Sequence, residues 1–280
     1  MAGRAWNWVG MLKVAAVIGL LVGAGFFLRY AEGFVKAANA GEEGSLILVE
    51  VPAWVNWDLK ARVAAMAGGS RFLIRDETAD VVARNLAPMA WLDDVSVQVT
   101  YDAVRVKARW RKPVALMLKG SSKYYVDSDL VVLDYMPMPH LPIVEVKGLS
   151  NGLPPTPGEV FDRNDLAAAV TLILLLHRSD AEFAPKTPLL EKIASIDVSN
   201  YKGRKHSRDP HIVLNTKDDT QIIWGAEIGE WAKYLEAKDE QKLAKLYGYY
   251  MKTGSLSAGV KYINVRDPQD RVPQPIDKYR

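Results

Sequence analysis

The sequence contains no cysteine among its 280 residues, and this absence excludes disulfide bonds, thiolate zinc sites and cysteine nucleophiles together. Histidine is scarce as well, with four in the chain. Only His206 and His211 are close in sequence, and Pro210 between them disfavours a helix that presents both rings to one metal ion. The sequence therefore predicts no metal centre and no cofactor.

A recognisable catalytic site is also lacking. No glycine-rich loop is followed by Lys-Ser or Lys-Thr, as a phosphate-binding loop requires. The acidic pairs Asp93-Asp94 and Asp218-Asp219 fall at predicted strand edges or turns, where an aspartate side chain bonds the local backbone. General acid and base catalysis needs two carboxylates that converge on one pocket. We therefore expect a protein that is not an enzyme and has no small-molecule substrate.

Charge of one sign is not in large excess. The chain has 36 basic and 33 acidic residues, a formal net charge of +3 at pH 7. This excess is too small for the electrostatic footprint of a nucleic-acid-binding protein. Hydrophobic residues make up 49% of the chain, and the part that follows the first apolar run is long enough for two ordinary domains with cores.

One long apolar run is present, at residues 9–28, and no second run of that length follows it. Its roughly 20 residues would form a helix of about 30 Å, the thickness of the hydrocarbon core of a bilayer. Lys13 interrupts the run near its start, where a lysine side chain can reach back to the head groups. The sequence therefore predicts a transmembrane helix at residues 9–28.

The charges around this run predict its orientation. Arg4 and the amino terminus precede it and Lys13 lies near its start, without an acidic residue, whereas acidic residues dilute the positive charge that follows it. Residues 1–8 are therefore predicted to be a cytoplasmic tail, and the bulk of the chain is predicted to lie in the periplasm, anchored in the inner membrane. A cleaved signal peptide is the alternative, because residues 38–40 have the small-x-small form that signal peptidase accepts.

Two domains are predicted after a linker at residues 29–45, and the expected fold class is α+β. Residues 46–114 show the order strand, helix, helix, strand, strand, with Asn56 as the expected N-cap of the first helix. Residues 115–272 show mainly short strands, together with an apolar helix of about eleven residues that is too short to cross a membrane. Residues 273–280 contain two prolines and are predicted to be a tail.

Basic residues alternate along one predicted strand. Arg105, Lys107, Arg109 and Arg111 share its polar face. Charged side chains often protect a strand against unwanted pairing, which is the simpler interpretation of this row. The functional alternative is a surface that binds an acidic partner or anionic lipid head groups.

Several short segments follow one another in the order found in a known protein family. In the first domain they are residues 86–95, which contain Leu86, Pro88, Trp91 and Val95, and the run Arg111-Lys112-Pro113-Val114-Ala115. In the second domain they are Tyr125-Val126-Asp127, Leu141-Pro142 with Gly148, Ile222-Ile223-Trp224-Gly225, Lys245-Leu246 and Tyr262-Ile263-Asn264-Val265-Arg266. In this joint order the chain resembles the FtsQ/DivIB family of bacterial cell-division proteins. It departs from the family pattern at Pro52, Leu130 and Asn264, where glycine, glycine and aspartate are usual.

The resemblance implies an architecture and a function. Residues 46–114 would be a POTRA domain and residues 115–272 a beta domain, in a non-enzymatic scaffold of the divisome that helps regulate septal peptidoglycan synthesis. An FtsB-type protein, in complex with an FtsL-type protein, would add a strand to the exposed C-terminal edge of the beta domain. Other division proteins would bind through the POTRA domain. The partner-binding positions that the resemblance implies are Tyr262, Ile263, Asn264, Val265, Arg266 and Asp267.

Two other functions remain open. One is a POTRA-bearing envelope assembly or secretion chaperone, although such proteins usually repeat this domain and no internal repeat is seen in the sequence. The other is an exported enzyme that acts on cell-wall polymers, with Trp54, Trp57, Trp91 and Trp110 as a sugar platform. No carboxylate pair accompanies these tryptophans, and tryptophans at such positions are more often packing residues.

Overall fold

The structure is a computed structural model that describes residues 8–38, 43–150, 152, 154–257 and 260–268. The described residues up to 88, together with 94–109, form one compact unit. Residues 89–93, together with the described residues from 110 onwards, form a second unit. The predicted cytoplasmic tail up to residue 7, the small-residue site at 39–40, linker residues 39–42 and the C-terminal tail lie outside the described residues.

Helix α1 spans Trp8–Ala38 and contains the apolar run. Among the residues that the structure describes, no helix is long and apolar enough to cross a membrane, so the prediction of a transmembrane helix at residues 9–28 is wrong.

The first unit contains a four-stranded sheet and two helices. Its strands are β1 (Glu43–Val49), β2 (Arg71–Leu73), β3 (Leu92–Val99) and β4 (Ala103–Trp110), and its helices are α2 (Trp57–Ala67) and α3 (Asp76–Leu86). The strand order is β2-β1-β4-β3. Strand β1 is parallel to β4 and antiparallel to β2. The sequence did not predict β2, because its three residues are too few to show a period.

Local chemistry explains why these elements form. The side chain of Asn56 accepts a hydrogen bond from the Leu59 N–H at 2.9 Å, so the predicted N-cap of α2 is confirmed. Helix α2 ends at Gly68, whose φ of 115° is in the left-handed region that favours glycine. The core of this unit comes from one face of each element, and its buried members include Leu59, Val63, Val82, Leu86, Val104 and Val106. Both helices therefore cover the face of the sheet that carries the valines of β4.

The second unit is built on an eight-stranded sheet. Its strands are β5 (Ala115–Lys119), β6 (Ser122–Val126), β7 (Val132–Asp134), β8 (Val144–Lys147), β9 (Ile193–Asp197), β10 (Ile212–Thr216), β11 (Gln221–Gly225) and β12 (Tyr262–Asn264). Their order across the sheet is β12-β11-β10-β9-β8-β5-β6-β7. Helices α4 (Asn164–Phe183) and α5 (Asp239–Thr253) pack against it, and their buried residues share one core with the sheet.

The apolar helix predicted in this part of the chain is α4, which supplies much of that core. Its N-cap is Arg163. Asp165, in the first turn of α4, is buried, and its carboxylate accepts hydrogen bonds from the N–H and the hydroxyl of Ser150, each at 2.8 Å. The carboxylate therefore stabilises a loop outside the helix.

A candidate partner-binding edge

Strand β12 lies at one end of the eight-stranded sheet. It pairs with β11 in parallel, with Gln221 opposite Tyr262 and Ile223 opposite Asn264. In the part of the chain that the structure describes, no strand pairs with the other side of β12. A strand at such a position can accept an additional strand through its outward-facing backbone groups.

The opposite end of the same sheet is covered. There the Val132 N–H donates to the Glu159 carbonyl at 2.9 Å, and the Gly158 N–H donates to the Val132 carbonyl at 2.8 Å. Val131 and Val160 form an antiparallel bridge beside these bonds. The segment at residues 158–160 therefore occupies the edge of β7, and the two ends of the sheet differ in their capacity to take a further strand.

The hydrogen bonds of β12 show which of its residues face the open side. The Gln221 N–H donates to the Lys261 carbonyl at 2.9 Å, and the Val265 N–H donates to the Ile223 carbonyl at 3.2 Å. Backbone groups of successive residues in a strand point to opposite sides. The backbone N–H and C=O of Asn264 therefore face away from β11.

The side chains of the predicted partner-binding residues divide into two groups. Ile263 is 1% exposed and Val265 is fully buried, so both belong to the core and fasten the strand to the sheet. The other four are partly exposed and can contact a partner: Tyr262, Asn264, Arg266 and Asp267. Side chains of successive strand residues point to opposite faces, which explains this division. The resemblance alone did not separate the core residues from the exposed ones.

The segment after β12 is held in place by residues that follow β11 in the chain. The Ala237 N–H donates to the Arg266 carbonyl at 2.8 Å. The ammonium group of Lys245 donates to the Asp267 carbonyl. The Arg266 N–H donates to the side-chain oxygen of Asn264 at 3.1 Å. The chain therefore leaves β12 in a defined direction.

Glu236, the residue before Ala237, forms a buried ion pair with Lys242. The ammonium group of Lys242 lies 2.7 Å from the Glu236 carboxylate, and the Lys242 side chain is fully buried. Glu236 also accepts a hydrogen bond from the Ala226 N–H at 2.8 Å. Lysine is rarely buried without a partner. Sequence reasoning missed this pair, because no pattern in a single sequence joins residue 236 to residue 242 as a buried contact.

A cavity of about 500 Å³ lies beside the C-terminal end of β12. Its walls include Arg208, His211, Tyr234, Leu235, Asn264 and Arg266. Leu235 is 84% exposed, and its φ of 55° is a conformation that leucine rarely adopts. The lining also includes Asp209, Glu236 and Asp267, so the surface beside the open edge combines apolar, basic and acidic parts.

The predicted basic row lies in the first unit, in a different setting from the one expected. Arg105, Lys107 and Arg109 are exposed on β4, and the Lys107 ammonium group lies 2.7 Å from the Glu50 carboxylate. Strand β4 is flanked by β1 and β3. Strand β4 is therefore not an edge strand, and its basic side chains form an exposed face in the interior of the sheet.

Arg111 does not join this row. It belongs to the second unit, where its guanidinium group lies 2.9 Å from Asp127, 3.2 Å from Asp93 and 3.8 Å from Asp129. The Asp127 carboxylate also accepts the Val131 N–H at 2.8 Å. Arg111 therefore has a structural environment of buried and half-buried carboxylates.

The tryptophans considered for a sugar platform are not all on the surface. Trp91 is fully buried, and its indole N–H donates to the Asp134 carboxylate at 3.2 Å. Trp57, in contrast, is 77% exposed. Within the described residues, no group of three or more acidic or histidine side chains could hold a metal ion.

Comparison of the chain with protein-family models gives no match, and neither does comparison with curated proteins.

Proposed function

We propose that this protein is a non-enzymatic scaffold of the bacterial division machinery, of the FtsQ/DivIB kind. It takes up a segment of an FtsB-type protein, in complex with an FtsL-type protein, as an added strand beside β12. Localisation to the division septum, on the periplasmic side of the inner membrane, and a role in regulating septal peptidoglycan synthesis belong to the same proposal.

The observation that carries the proposal is the contrast between the two ends of the eight-stranded sheet. The β7 end is covered by residues 158–160, whereas β12 has a partner strand on one side only among the described residues. Long open edges favour aggregation, so proteins usually shorten, cover or charge them. A short open strand that is fastened by buried Ile263 and Val265 is suited to strand addition.

The experiment is a binding measurement with the full chain and the extracytoplasmic segments of FtsB and FtsL from the same organism. Asn264→Pro removes an N–H that faces the open side, so we expect at least a tenfold loss of affinity. Asn264→Ala is the matched control, because it removes the side chain and keeps that N–H. We expect the Ala variant to bind within about threefold of the parent protein, since an edge side chain contributes about 0.2–1 kcal/mol.

Circular dichroism and urea unfolding of both variants check that the second unit is folded. Saturable binding that Asn264→Pro abolishes and Asn264→Ala preserves supports the scaffold. Absence of binding by the folded parent protein contradicts the choice of partners and favours the chaperone function. Equal binding by the parent and by a folded Asn264→Pro variant contradicts strand addition at β12.

A further inference from the structure

One leucine of the second unit combines high exposure with backbone strain. Leu235 is 84% exposed, and no large hydrophobic side chain of the described residues is more exposed. It follows the short 3₁₀ helix Trp231–Tyr234 with φ 55° and ψ 38°, a left-handed conformation that usually belongs to glycine at a helix end. The Glu236 N–H donates to the Trp231 carbonyl at 3.0 Å and closes this turn. Strain of this kind is typical of functional sites, so Leu235 is a candidate for a contact outside the chain.

Three aromatic side chains in this part of the unit each have a lysine over the ring. The ammonium group of Lys238 lies 5.5 Å from the ring centre of Trp231, that of Lys233 lies 5.5 Å from Tyr234, and that of Lys202 lies 5.4 Å from Tyr201. All three rings are partly exposed. Each pair joins an apolar ring and lysine stem to a charged end, and these residue types are typical of membrane–water interfaces.

The segment that links β9 to β10 is held in one conformation beside these aromatic residues. The side-chain amide of Asn200 donates to the carbonyls of His206, Asp209 and Pro210, and its oxygen accepts the N–H groups of Lys205 and His206. The ring of His211 meets that of Tyr234 edge-on at 4.5 Å. Residues 201–210 and 228–238 therefore form one surface, which we name the basic tip.

Most cations of the basic tip are not neutralised within the chain. Those without an ion-pair partner among the described residues are Lys202, Lys205, Arg208, Lys233 and Lys238. The exposed acidic residues of the tip and of the adjoining first turn of α5 are Asp209, Glu230 and Glu240. Arg204 and Glu236 do not enter this balance, because they pair with Asp165 and Lys242. Five positive charges thus face three negative ones.

The three properties of the basic tip are matched by one kind of partner. A bilayer that contains anionic lipids offers phosphates to the lysines, an interfacial layer to the aromatic rings and hydrocarbon to Leu235. An acidic polypeptide would match the lysines, but it would leave the exposed leucine in water. The combination of leucine, aromatic rings and lysines therefore favours a lipid surface.

We propose that the basic tip docks on the surface of a membrane that contains anionic phospholipids, with the Leu235 side chain inserted below the head groups. The lysines over the aromatic rings contact lipid phosphates, and the rings lie at the level of the head groups. This contact uses neither the added strand nor its partner, so it stands whether or not the proposed division function is correct.

The test reads the environment of the tip itself, in the full chain. Because the sequence has no cysteine, Ala232→Cys accepts an NBD fluorophore at one position only, an exposed one three residues before Leu235. Vesicles of phosphatidylcholine with one third phosphatidylglycerol should raise the NBD emission and shift it to shorter wavelength. High salt should weaken the effect. Met251→Cys, labelled in the same way on exposed Met251 of α5, is the control position and should show no shift.

Substitutions in the labelled chain separate the apolar from the electrostatic contribution. Leu235→Gly should raise the lipid concentration at half-saturation about fivefold, because the inserted side chain is lost. Glycine adopts a positive φ without strain, so the same variant should keep or raise the urea midpoint, whereas a structural leucine would lower it.

Lys205→Ser with Lys233→Ser should raise the lipid concentration at half-saturation about tenfold at low salt. The matched control is Lys192→Ser with Lys217→Ser, which removes the same charge from exposed residues at the opposite end of β9 and β10. This control should bind within about twofold of the parent protein.

Three results overturn the proposal. The first is an unchanged NBD spectrum of the Ala232→Cys label in the presence of the vesicles, and the second is an equal shift of the Met251→Cys label. The third is equal lipid affinity of the parent protein, the Leu235→Gly variant and the Lys205→Ser, Lys233→Ser variant. A spectral shift with poly-L-glutamate and none with vesicles would assign the basic tip to an acidic polypeptide instead.

Discussion

The ammonium group of Lys242 and the carboxylate of Glu236 form an ion pair at 2.7 Å, in which the lysine side chain is fully buried and the glutamate side chain is 9% exposed. The next residue, Ala237, donates its N–H to the Arg266 carbonyl at 2.8 Å. The pair therefore connects the start of α5 to the segment that follows the open strand. Loss of one partner leaves an uncompensated buried charge, whereas loss of both does not.

We expect Lys242→Met to lower the free energy of unfolding by about 3–5 kcal/mol, because it leaves the Glu236 carboxylate buried without its cation. Lys242→Met combined with Glu236→Gln should recover more than half of that loss. Urea unfolding of the two single variants and the double variant forms the cycle that measures this coupling. Additive single effects would contradict the account of the pair.

Arg111 and Arg105 were predicted to share one face of a strand, but their substitutions should have different effects on stability. Arg111→Ala leaves three nearby carboxylates, Asp127 among them nearly fully buried, and should cost about 3 kcal/mol of stability. Arg105→Ala, at an exposed position of β4, should change stability by no more than about 0.5 kcal/mol. Thermal and urea unfolding measure both. Similar effects of the two substitutions would refute the distinction.

The carboxyl group of Asp165 should make the second unit sensitive to acid. Burial raises its pKa, but hydrogen bonds from Ser150 and Arg204 outweigh burial, and the pKa lies below its ordinary value. A lowered pKa in the folded state contributes stability above the pKa of the unfolded state, and this contribution is lost as pH falls through the folded-state pKa. We expect Asp165→Asn to be destabilising at pH 7, with a smaller difference from the parent protein below about pH 4.

Asp239 should show the opposite dependence. Burial raises the pKa of its carboxyl group above the ordinary value, although the Gly229 N–H donates to it at 2.7 Å. A raised pKa of an acid in the folded state means that stability is lost as pH rises from the unfolded-state pKa through the folded-state pKa. The stability of Asp239→Asn relative to the parent protein should therefore increase between pH 3 and pH 7. A constant difference across urea titrations at these pH values would argue against a buried charge at this position.

Local features of the fold were predictable from the sequence. The capping of α2 by Asn56 depends on neighbouring residues only, and so does the alternation of basic residues that predicts strand β4. Short strands were harder to predict. Strands β2 and β5, which have three and five residues, were not predicted, because such short runs carry little periodic signal.

Features that depend on pairing between distant residues could not be predicted. The strand order of the large sheet brings β5 beside β8 and β8 beside β9, and nothing in the spacing of residues requires either neighbour. The position of β4 between β1 and β3 could not be predicted either, so the sequence did not show that Arg105 lies on an interior strand. The transmembrane prediction rested on apolar length alone, and no helix among the described residues is long and apolar enough to cross a membrane.

The candidate partner-binding edge was partly predictable. The resemblance indicated residues 262–267 as a set, and their period of two could have separated Ile263 and Val265 as core residues. The direction of each backbone N–H could not be inferred, because it depends on the register with β11. The inward direction of the Val265 N–H makes Val265→Pro a destabilising change, and Asn264→Pro is the informative variant.

The most direct test of the proposed function is residue-resolved amide hydrogen exchange on the full chain, with and without the FtsB and FtsL segments. The Asn264 amide faces the open side of β12, so it should exchange rapidly in the free protein and at least tenfold more slowly in the complex. The Val265 amide is bonded to Ile223 in both states and serves as the internal control. Slowing at Asn264 with little change at Val265 is the result that strand addition predicts. Binding of the segments without slower exchange at Asn264 would contradict it.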